Sequence, residues 1–176
     1  MNRKEFVSAL AVLGAAPVCA CAAPQAAAAE ALSAAENFKQ EWLGALLGAM
    51  DVQLDEEARR KLMEASGRAC ARRGAVAGLR KASEGNLDKL VAALEKMLGP
   101  GNARRAGDVV HLRYAKCYCP LVGNGREKLS PTYCNCSRGW ALEVFEAISG
   151  KPVSVELLSS IRRGGPDCRF TIRIGG

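Results

Sequence analysis

Cysteines dominate the residues of this sequence that can do chemistry. Two Cys-x-Cys pairs, Cys117 with Cys119 and Cys134 with Cys136, stand on either side of a short segment that contains Gly and Pro. In an extended chain, residues i and i+2 point to the same side with Cα atoms roughly 6 to 7 Å apart, so their thiolates can grip one ion. The two pairs together supply four sulfur ligands, which suits a closed tetrahedral zinc site; an iron–sulfur cluster is the softer alternative.

The same four residues are also compatible with other chemistry. Cross-links between Cys117 and Cys134, and between Cys119 and Cys136, would stabilise a protein in an oxidising compartment. Free or redox-active thiols are a third possibility. The spacing within each pair is at the upper limit for a direct disulfide, which favours a shared partner such as a metal ion.

Two further cysteines lie outside the pairs. Cys168 opens a strand after a Gly-Gly-Pro turn, and it is a fifth sulfur for the site, a reactive thiol or a small buried hydrophobe. Cys70 falls on the apolar side of a helical pattern, which favours simple burial.

The first 29 residues have the layout of an export signal. A basic start at Arg3 and Lys4 precedes an apolar stretch and then small residues, as in secretory leaders. The leader resembles a twin-arginine signal, and Cys21 also suits lipid attachment. We therefore expect an exported protein of the cell envelope, periplasmic or lipid-anchored, with any membrane contact made through Cys21.

The composition predicts one ordinary globular domain over residues 30–176. The chain has 176 residues, 49% of them hydrophobic, so it can build a core. Its 25 Lys and Arg residues outnumber 18 Asp and Glu, but the two signs are interleaved and no nucleic-acid motif occurs. We expect no nucleic-acid partner.

Residues 30–99 have a helical pattern. Apolar residues recur every four positions from Phe38 through Trp42 and Leu46 to Met50, which predicts a buried helix face. A second helix is predicted over 55–73 and a third over 87–98. The inward positions of the second are predicted to be Leu54, Ala58, Leu62, Ala65 and Ala69, and those of the third Leu87, Leu90, Val91, Leu94 and Leu98.

Residues 105–176 form the cysteine-rich half, where the pattern changes to period two. Val110, Leu112 and Tyr114 alternate with polar residues as in a half-buried strand. A helix capped by Ser137 and ended by Gly150 comes next, followed by two strands. The fold class is therefore α+β, with N-terminal helices packed on a small antiparallel sheet and one helix inserted between strands.

The segment "CNCSRGWALEVFEAISGKPVSVELLSSIRRGGPDCRFTI" resembles the end of domains in the 4-vinyl reductase group and the related L-2-amino-thiazoline-4-carboxylic acid hydrolase-like proteins. The resemblance covers roughly residues 108–174 and implies a small-molecule-binding α/β module. It also implies a zinc site, with ligand roles that fall on Cys136, Glu156 and Cys168. The fourth role falls on Ser159, whose hydroxyl is a poor zinc ligand. Cys134, Cys117 or Cys119 would supply the missing sulfur.

Three functions remain open from the sequence. The first is an exported module that binds a small molecule beside a cysteine-rich zinc site. The second is a metal- or thiol-dependent hydrolase of a C–N bond in a small heterocyclic or amide substrate, with Glu143, Glu146 or Glu156 as base. The third is a disulfide-stabilised envelope protein. The one histidine, His111, is predicted to be a surface or packing residue.

Overall fold

The computed structural model describes residues 22–118 and 130–175. The chain divides into two units between residues 39 and 40, and helix α1 spans Ala22–Gln53. Most of the predicted export signal lies outside the described residues, so export stays a prediction. Within the two described ranges, no helix combines the length and hydrophobicity needed to cross a bilayer.

Four further α-helices follow α1 in the described ranges. They are α2 (Glu56–Cys70), α3 (Val76–Ser83), α4 (Leu87–Leu98) and α5 (Asn135–Ser149). Local chemistry fixes their ends: the Asp55 side chain accepts a hydrogen bond from the amide of Ala58, and Asn86 caps α4 in the same way. Gly150 ends α5 with a φ of 65°, as predicted. A π-helical turn, Ala71–Ala75, joins α2 to α3.

The described strands form one antiparallel sheet. Strands β1 (Ala103–Ala106), β2 (Val109–Tyr114), β3 (Val153–Ser159) and β4 (Cys168–Ile174) are arranged in the order β1-β2-β4-β3. Helix α5 lies between β2 and β3 in the sequence. The predicted α+β fold with an inserted helix is confirmed; strand β1 was not predicted.

The main core lies between the helices and one face of the sheet. Alternate strand residues such as Val110, Phe170 and Ile172 are buried against Leu94 of α4 and Phe145 of α5. The predictions of the inward residues of α4 and β2 and of the alternation in β4 are confirmed. Exposure on the other face is also as predicted for His111, whose Nδ1 lies 3.4 Å from the Thr171 hydroxyl.

Helices α2 and α5 cross with their backbones in contact. A Cβ at Gly67 would lie 1.9 Å from the carbonyl oxygen of Cys136, and a Cβ at Gly139 would lie 2.0 Å from the carbonyl oxygen of Glu64. Only glycine permits this approach. Beside the crossing, Arg68 of α2 forms ion pairs with Glu143 and Glu146 of α5.

The predicted buried face of α1 is wrong. Trp42 is 58% exposed and Phe38 and Leu46 are exposed as well, whereas Leu47 is 1% exposed. Leu43 packs with Leu47, one position around the helix from the predicted stripe. Met50, the last residue of the predicted stripe, packs against the same cluster, so the prediction holds for that residue.

The predicted buried face of α2 is wrong for a related reason. Its buried residues are Met63 and Gly67, whereas Leu62 and Cys70 are exposed. The buried face is centred on the glycine contact with α5, so the apolar residues on the adjacent face are left outside. Helix α5 also begins two residues before the predicted cap, Ser137, because the 3-10 turn Pro131–Cys134 leads directly into it.

Candidate ligand pocket and thiol cluster

Three cysteines lie near one another where β2, β4 and α5 begin or end, close enough for each to influence a neighbouring thiol. In the sheet register Tyr114 at the end of β2 is opposite Cys168 at the start of β4, so the chain that continues to Cys117 leaves beside Cys168. Cys134 ends the 3-10 turn before α5. We call Cys117, Cys134 and Cys168, with the adjacent Ser160, the thiol cluster.

The contacts within the thiol cluster are polar and largely buried. The sulfur of Cys134 lies 2.8 Å from the hydroxyl oxygen of Ser160, and both residues are buried. Burial raises the pKa of the Cys134 thiol, partly offset by the hydrogen bond with Ser160, and the neighbouring Cys117 raises it further. Burial also raises the pKa of Cys168, with the backbone of Ile161 opposing and Cys134 and Cys117 adding to the rise. Without a metal, these two thiols stay protonated at neutral pH.

The other predicted site residues have different surroundings. Cys136 packs with Cys117 against the small apolar cluster of Leu47, Met63 and Tyr133. Glu156 belongs to the set of exposed, alternate residues of β3, whereas Cys168 shares the parity of buried Phe170, so the two lie on opposite faces of the sheet. Cys119 lies outside the described residues.

The serine next to the thiols is Ser160, one position after the serine that the resemblance implied. Ser159 instead donates a hydrogen bond to Asp167, whose carboxylate also accepts from Arg113 and Arg169. The cysteine nearest Ser160 is Cys134 rather than Cys136. Within residues 22–118 and 130–175, no three His, Cys, Asp or Glu side chains are placed so as to hold a metal ion together.

Two of the candidate catalytic carboxylates are committed to ion pairs. Arg68 lies 2.6 Å from Glu146 and 3.2 Å from Glu143, and Arg72 lies 2.7 Å from Glu143. Burial acts to raise the pKa of Glu143, but the two guanidinium groups outweigh it and the pKa is lowered. A carboxylate with a lowered pKa is a weak proton acceptor, so Glu143 is poorly suited to act as a base.

A pocket of about 330 Å³ lies beside the thiol cluster, along the free edge of β3. We call it the edge pocket. The starts of α2 and α5, strand β3 and the turn after it form its walls. Its lining residues are Glu56, Arg60, Asn135, Arg138, Val155, Glu156, Leu157 and Arg163. Asn135 is adjacent in sequence to Cys134, so the start of α5 serves both the edge pocket and the thiol cluster.

Two of the three guanidinium groups in the edge pocket already have partners. Arg60 pairs with Glu57 and Glu64, which raise its pKa. Arg138 lies 3.2 Å from Glu64 and donates two hydrogen bonds to the carbonyl oxygen of Val155. These contacts hold both side chains in place against the pocket wall.

Sequence reasoning named Glu156 but missed the other polar residues of the edge pocket. Arg60, Glu64 and Gly67 recur at intervals of four and three, which is a helix face, but two of these residues are charged. This charged helix face, which ends at a glycine, could have predicted a contact with another helix, because charged residues on a buried face need partners on a neighbouring element.

Solved structures share this α+β architecture. The phenol-responsive sensory domain of the transcription activator PoxR, solved with phenol, is 20% identical, with a TM-score of 0.52 over 77% of this chain and 74% of that one. Subunit 3 of a trafficking protein particle complex from Naegleria fowleri, covalently bound to palmitic acid, is 14% identical, with a TM-score of 0.51 over 78% of this chain and 96% of that one. At these identities the likeness establishes the class of fold.

The sequence itself places the chain in a family. Residues 21–175 match the family of unknown function DUF6144, and the chain belongs to that family. No curated protein matches the sequence.

Proposed function

We propose that this chain is a small-molecule-binding module that holds its ligand in the edge pocket and a zinc-like metal ion at the thiol cluster. The observation that carries the proposal is the placement of Cys134 and Asn135. Consecutive residues at the start of α5 take part in the thiol cluster and the edge pocket, so the two sites share one rigid element. Two proteins of similar fold were solved with phenol and with palmitic acid, which supports a small-molecule ligand for this chain.

For the metal ion, the proposed ligands are Cys117, Cys134 and Cys168. In the described residues these side chains are not placed to hold an ion together, so metal binding would have to draw them closer. Three thiolates suit zinc, whose structural sites take sulfur ligands in a tetrahedral arrangement. Cys119 is the proposed fourth ligand, because it stands two residues after Cys117 and the thiolates of such a pair can bind one ion. We do not include Glu156 among the proposed ligands, because it lies on the face of the sheet opposite Cys168. Because Cys134 and Cys168 are protonated without metal, metal binding must displace their protons.

Metal analysis of protein purified without added metal or reductant tests the metal part of the proposal. We expect about one zinc per chain, and we expect Cys134→Ser to lose most of it. Cys70→Ser is the matched control, since Cys70 is exposed on α2, and it should keep the wild-type zinc content. Metal-free wild-type protein, or equal zinc in both variants, would contradict the assignment.

A thermal-shift screen tests the ligand part. The probes are phenol, palmitate and the free L-amino acids, which represent neutral aromatic, fatty and charged polar molecules. A ligand that binds the folded state raises the melting temperature by mass action. At least one class should do so, and the effect should be lost in Glu156→Trp, which adds an indole at an exposed position of the pocket lining. A melting temperature that none of the three classes raises would contradict a small-molecule-binding role.

The export of the protein is part of the same proposal and rests on the composition of residues 1–29. Cell fractionation with the intact chain tests it. Recovery from the envelope fraction supports the assignment, and recovery from the cytosol alone contradicts it.

A further inference from the structure

We infer that the edge pocket selects a small zwitterionic molecule, one that carries both a carboxylate and an ammonium group. This inference rests on the proposed ligand site and names the chemical class of its ligand. It follows from the charges that line the pocket and from one buried amide.

The edge pocket presents unpaired charges of both signs. In the described parts of the chain, the guanidinium of Arg163 forms no hydrogen bond or ion pair, and the carboxylates of Glu56 and Glu156 form none either. A ligand with only a negative charge would meet the two carboxylates, and a ligand with only a positive charge would meet Arg163. A molecule with both charges can satisfy both sets of groups.

A buried amide in the same pocket also lacks a partner. Asn135 is 7% exposed, lines the edge pocket, and its side chain makes no hydrogen bond within residues 22–118 and 130–175. The amide atoms of Asn135 are not sealed from solvent, so a ligand that bonds to them replaces water. The amide offers two donors and an acceptor, so it can bind a carboxylate and still accept from a ligand N–H.

The walls of the edge pocket disfavour apolar ligands. Val155 and Leu157 are the apolar residues of the lining, and the side chain of Val155 belongs to the main core. The other six lining residues are polar or charged. An aromatic ring or acyl chain placed there would strip water from Arg60 and Arg138 without replacing those hydrogen bonds. The pocket volume of about 330 Å³ suits a molecule of small-metabolite size.

The anchored side chains and the unpaired side chains of the edge pocket have different roles in ligand binding. Arg60 and Arg138 are anchored by Glu64 and present a positive wall of constant geometry. Arg163 is exposed and is the last residue of the 3-10 turn after β3, so its side chain can reach a bound carboxylate. Glu56 on α2 and Glu156 on β3 are the acceptors for the ammonium group.

The test uses the full chain and the proteinogenic L-amino acids as probes, with binding measured by calorimetry. For the tightest binder, its N-acetyl derivative removes the positive charge and its carboxamide removes the negative charge. We expect each derivative to bind at least ~10-fold more weakly than the parent, since each leaves pocket charges unpaired. An equal affinity for the parent and both derivatives would overturn the inference.

Two substitutions separate the two charges. Arg163→Gln should weaken the amino acid by ~10-fold while changing its carboxamide little, and Glu56→Gln should weaken the amino acid while changing the N-acetyl derivative little. Both side chains are exposed, so both variants should fold. Variants that weaken all three compounds equally would overturn the inference.

The outcome also distinguishes this inference from the proposed function. Binding of phenol or palmitate, but of no amino acid, would leave the chain a small-molecule-binding module and overturn the zwitterionic ligand class. No binding by any probe would overturn both.

Discussion

The glycine contact between α2 and α5 makes a specific prediction for Gly139→Ala. The new Cβ would lie 2.0 Å from the carbonyl oxygen of Glu64 and 2.6 Å from its carbonyl carbon. Ordinary contact begins at 3.4 Å, so the helices must separate by roughly 1.4 Å. The obstacle is backbone on another helix, which no side-chain rotation can relieve.

The cost of this separation follows from the packing around it. Overpacking a core typically costs ~1–3 kcal/mol, and we expect the upper end because the whole α2–α5 interface moves. For a domain of this size, ~3 kcal/mol corresponds to a fall in melting temperature of roughly 10 °C. The shift would also disturb the ion pairs of Arg68, which span the same interface.

Urea unfolding followed by circular dichroism measures the effect. Gly78→Ala is the matched control, because Gly78 lies within helix α3 and a Cβ there meets nothing within 4 Å. It should leave stability unchanged or raise it by up to ~1 kcal/mol. A free energy of unfolding for Gly139→Ala within ~0.5 kcal/mol of the wild type would refute the reasoning, since surface substitutions show changes of that size.

A double variant sharpens the result. Gly67→Ala meets the carbonyl of Cys136 at the same crossing, so one separation of the helices makes room for both methyl groups. The double variant with Gly139→Ala should therefore lose less stability than the two single losses added together. Additive losses would mean that the two contacts respond independently.

Three other predictions follow from individual residues. Asp51→Asn should lower the free energy of unfolding by about 1 kcal/mol at neutral pH. Burial acts to raise the pKa of Asp51, but hydrogen bonds from Ser130, Thr132 and Arg59 leave it lowered. The stabilisation by Asp51 is therefore present above pH ~4 and is lost on further acidification. Urea titrations of both proteins should converge at low pH; a constant gap would contradict this. Leu94→Ala should cost ~2–5 kcal/mol because Leu94 is fully buried, and comparable loss in exposed Met97→Ala would contradict that reason. Cys70 should react with a thiol reagent in the native protein well before Cys134, and equal rates would contradict the burial of Cys134.

Several elements could be read directly from the sequence because local and tertiary preferences agree there. Helix α4 has an apolar stripe, an Asn cap and a terminal glycine, and it runs over the predicted residues. The alternation of Phe170, Ile172 and Ile174 predicted their burial in β4 for the same reason. In both cases one face packs on the core and no charged residue competes for it.

The faces of α1 and α2 could not be read in this way. On α2 the buried face is set by a backbone contact through Gly67, and a glycine adds nothing to an apolar pattern. On α1, Trp42 and Leu46 are large apolar residues like Leu47, yet they are exposed. Apolar periodicity locates a helix but does not decide which of two adjacent stripes meets the partner.

The candidate site was predictable only in part. Close spacing of cysteines predicted a thiol site, and Cys117 lies near enough to Cys134 and Cys168 to raise the pKa of both. Whether these thiols form a metal site stays a prediction. The edge pocket was not predictable, because its residues come from α2, α5, β3 and a turn that are far apart in the chain. Their meeting depends on the glycine crossing, which sequence spacing does not show.

The position of Arg138 has a consequence for the behaviour of the protein at high concentration. An outermost strand offers unsatisfied carbonyls to any neighbouring chain, which is a common start of intermolecular strand pairing. The guanidinium of Arg138 occupies the Val155 carbonyl on β3 and is itself held by Glu64. The side chain that forms one wall of the edge pocket thus also occupies one acceptor on this edge, so the loss of Arg138 would alter the pocket and expose a carbonyl to strand pairing together.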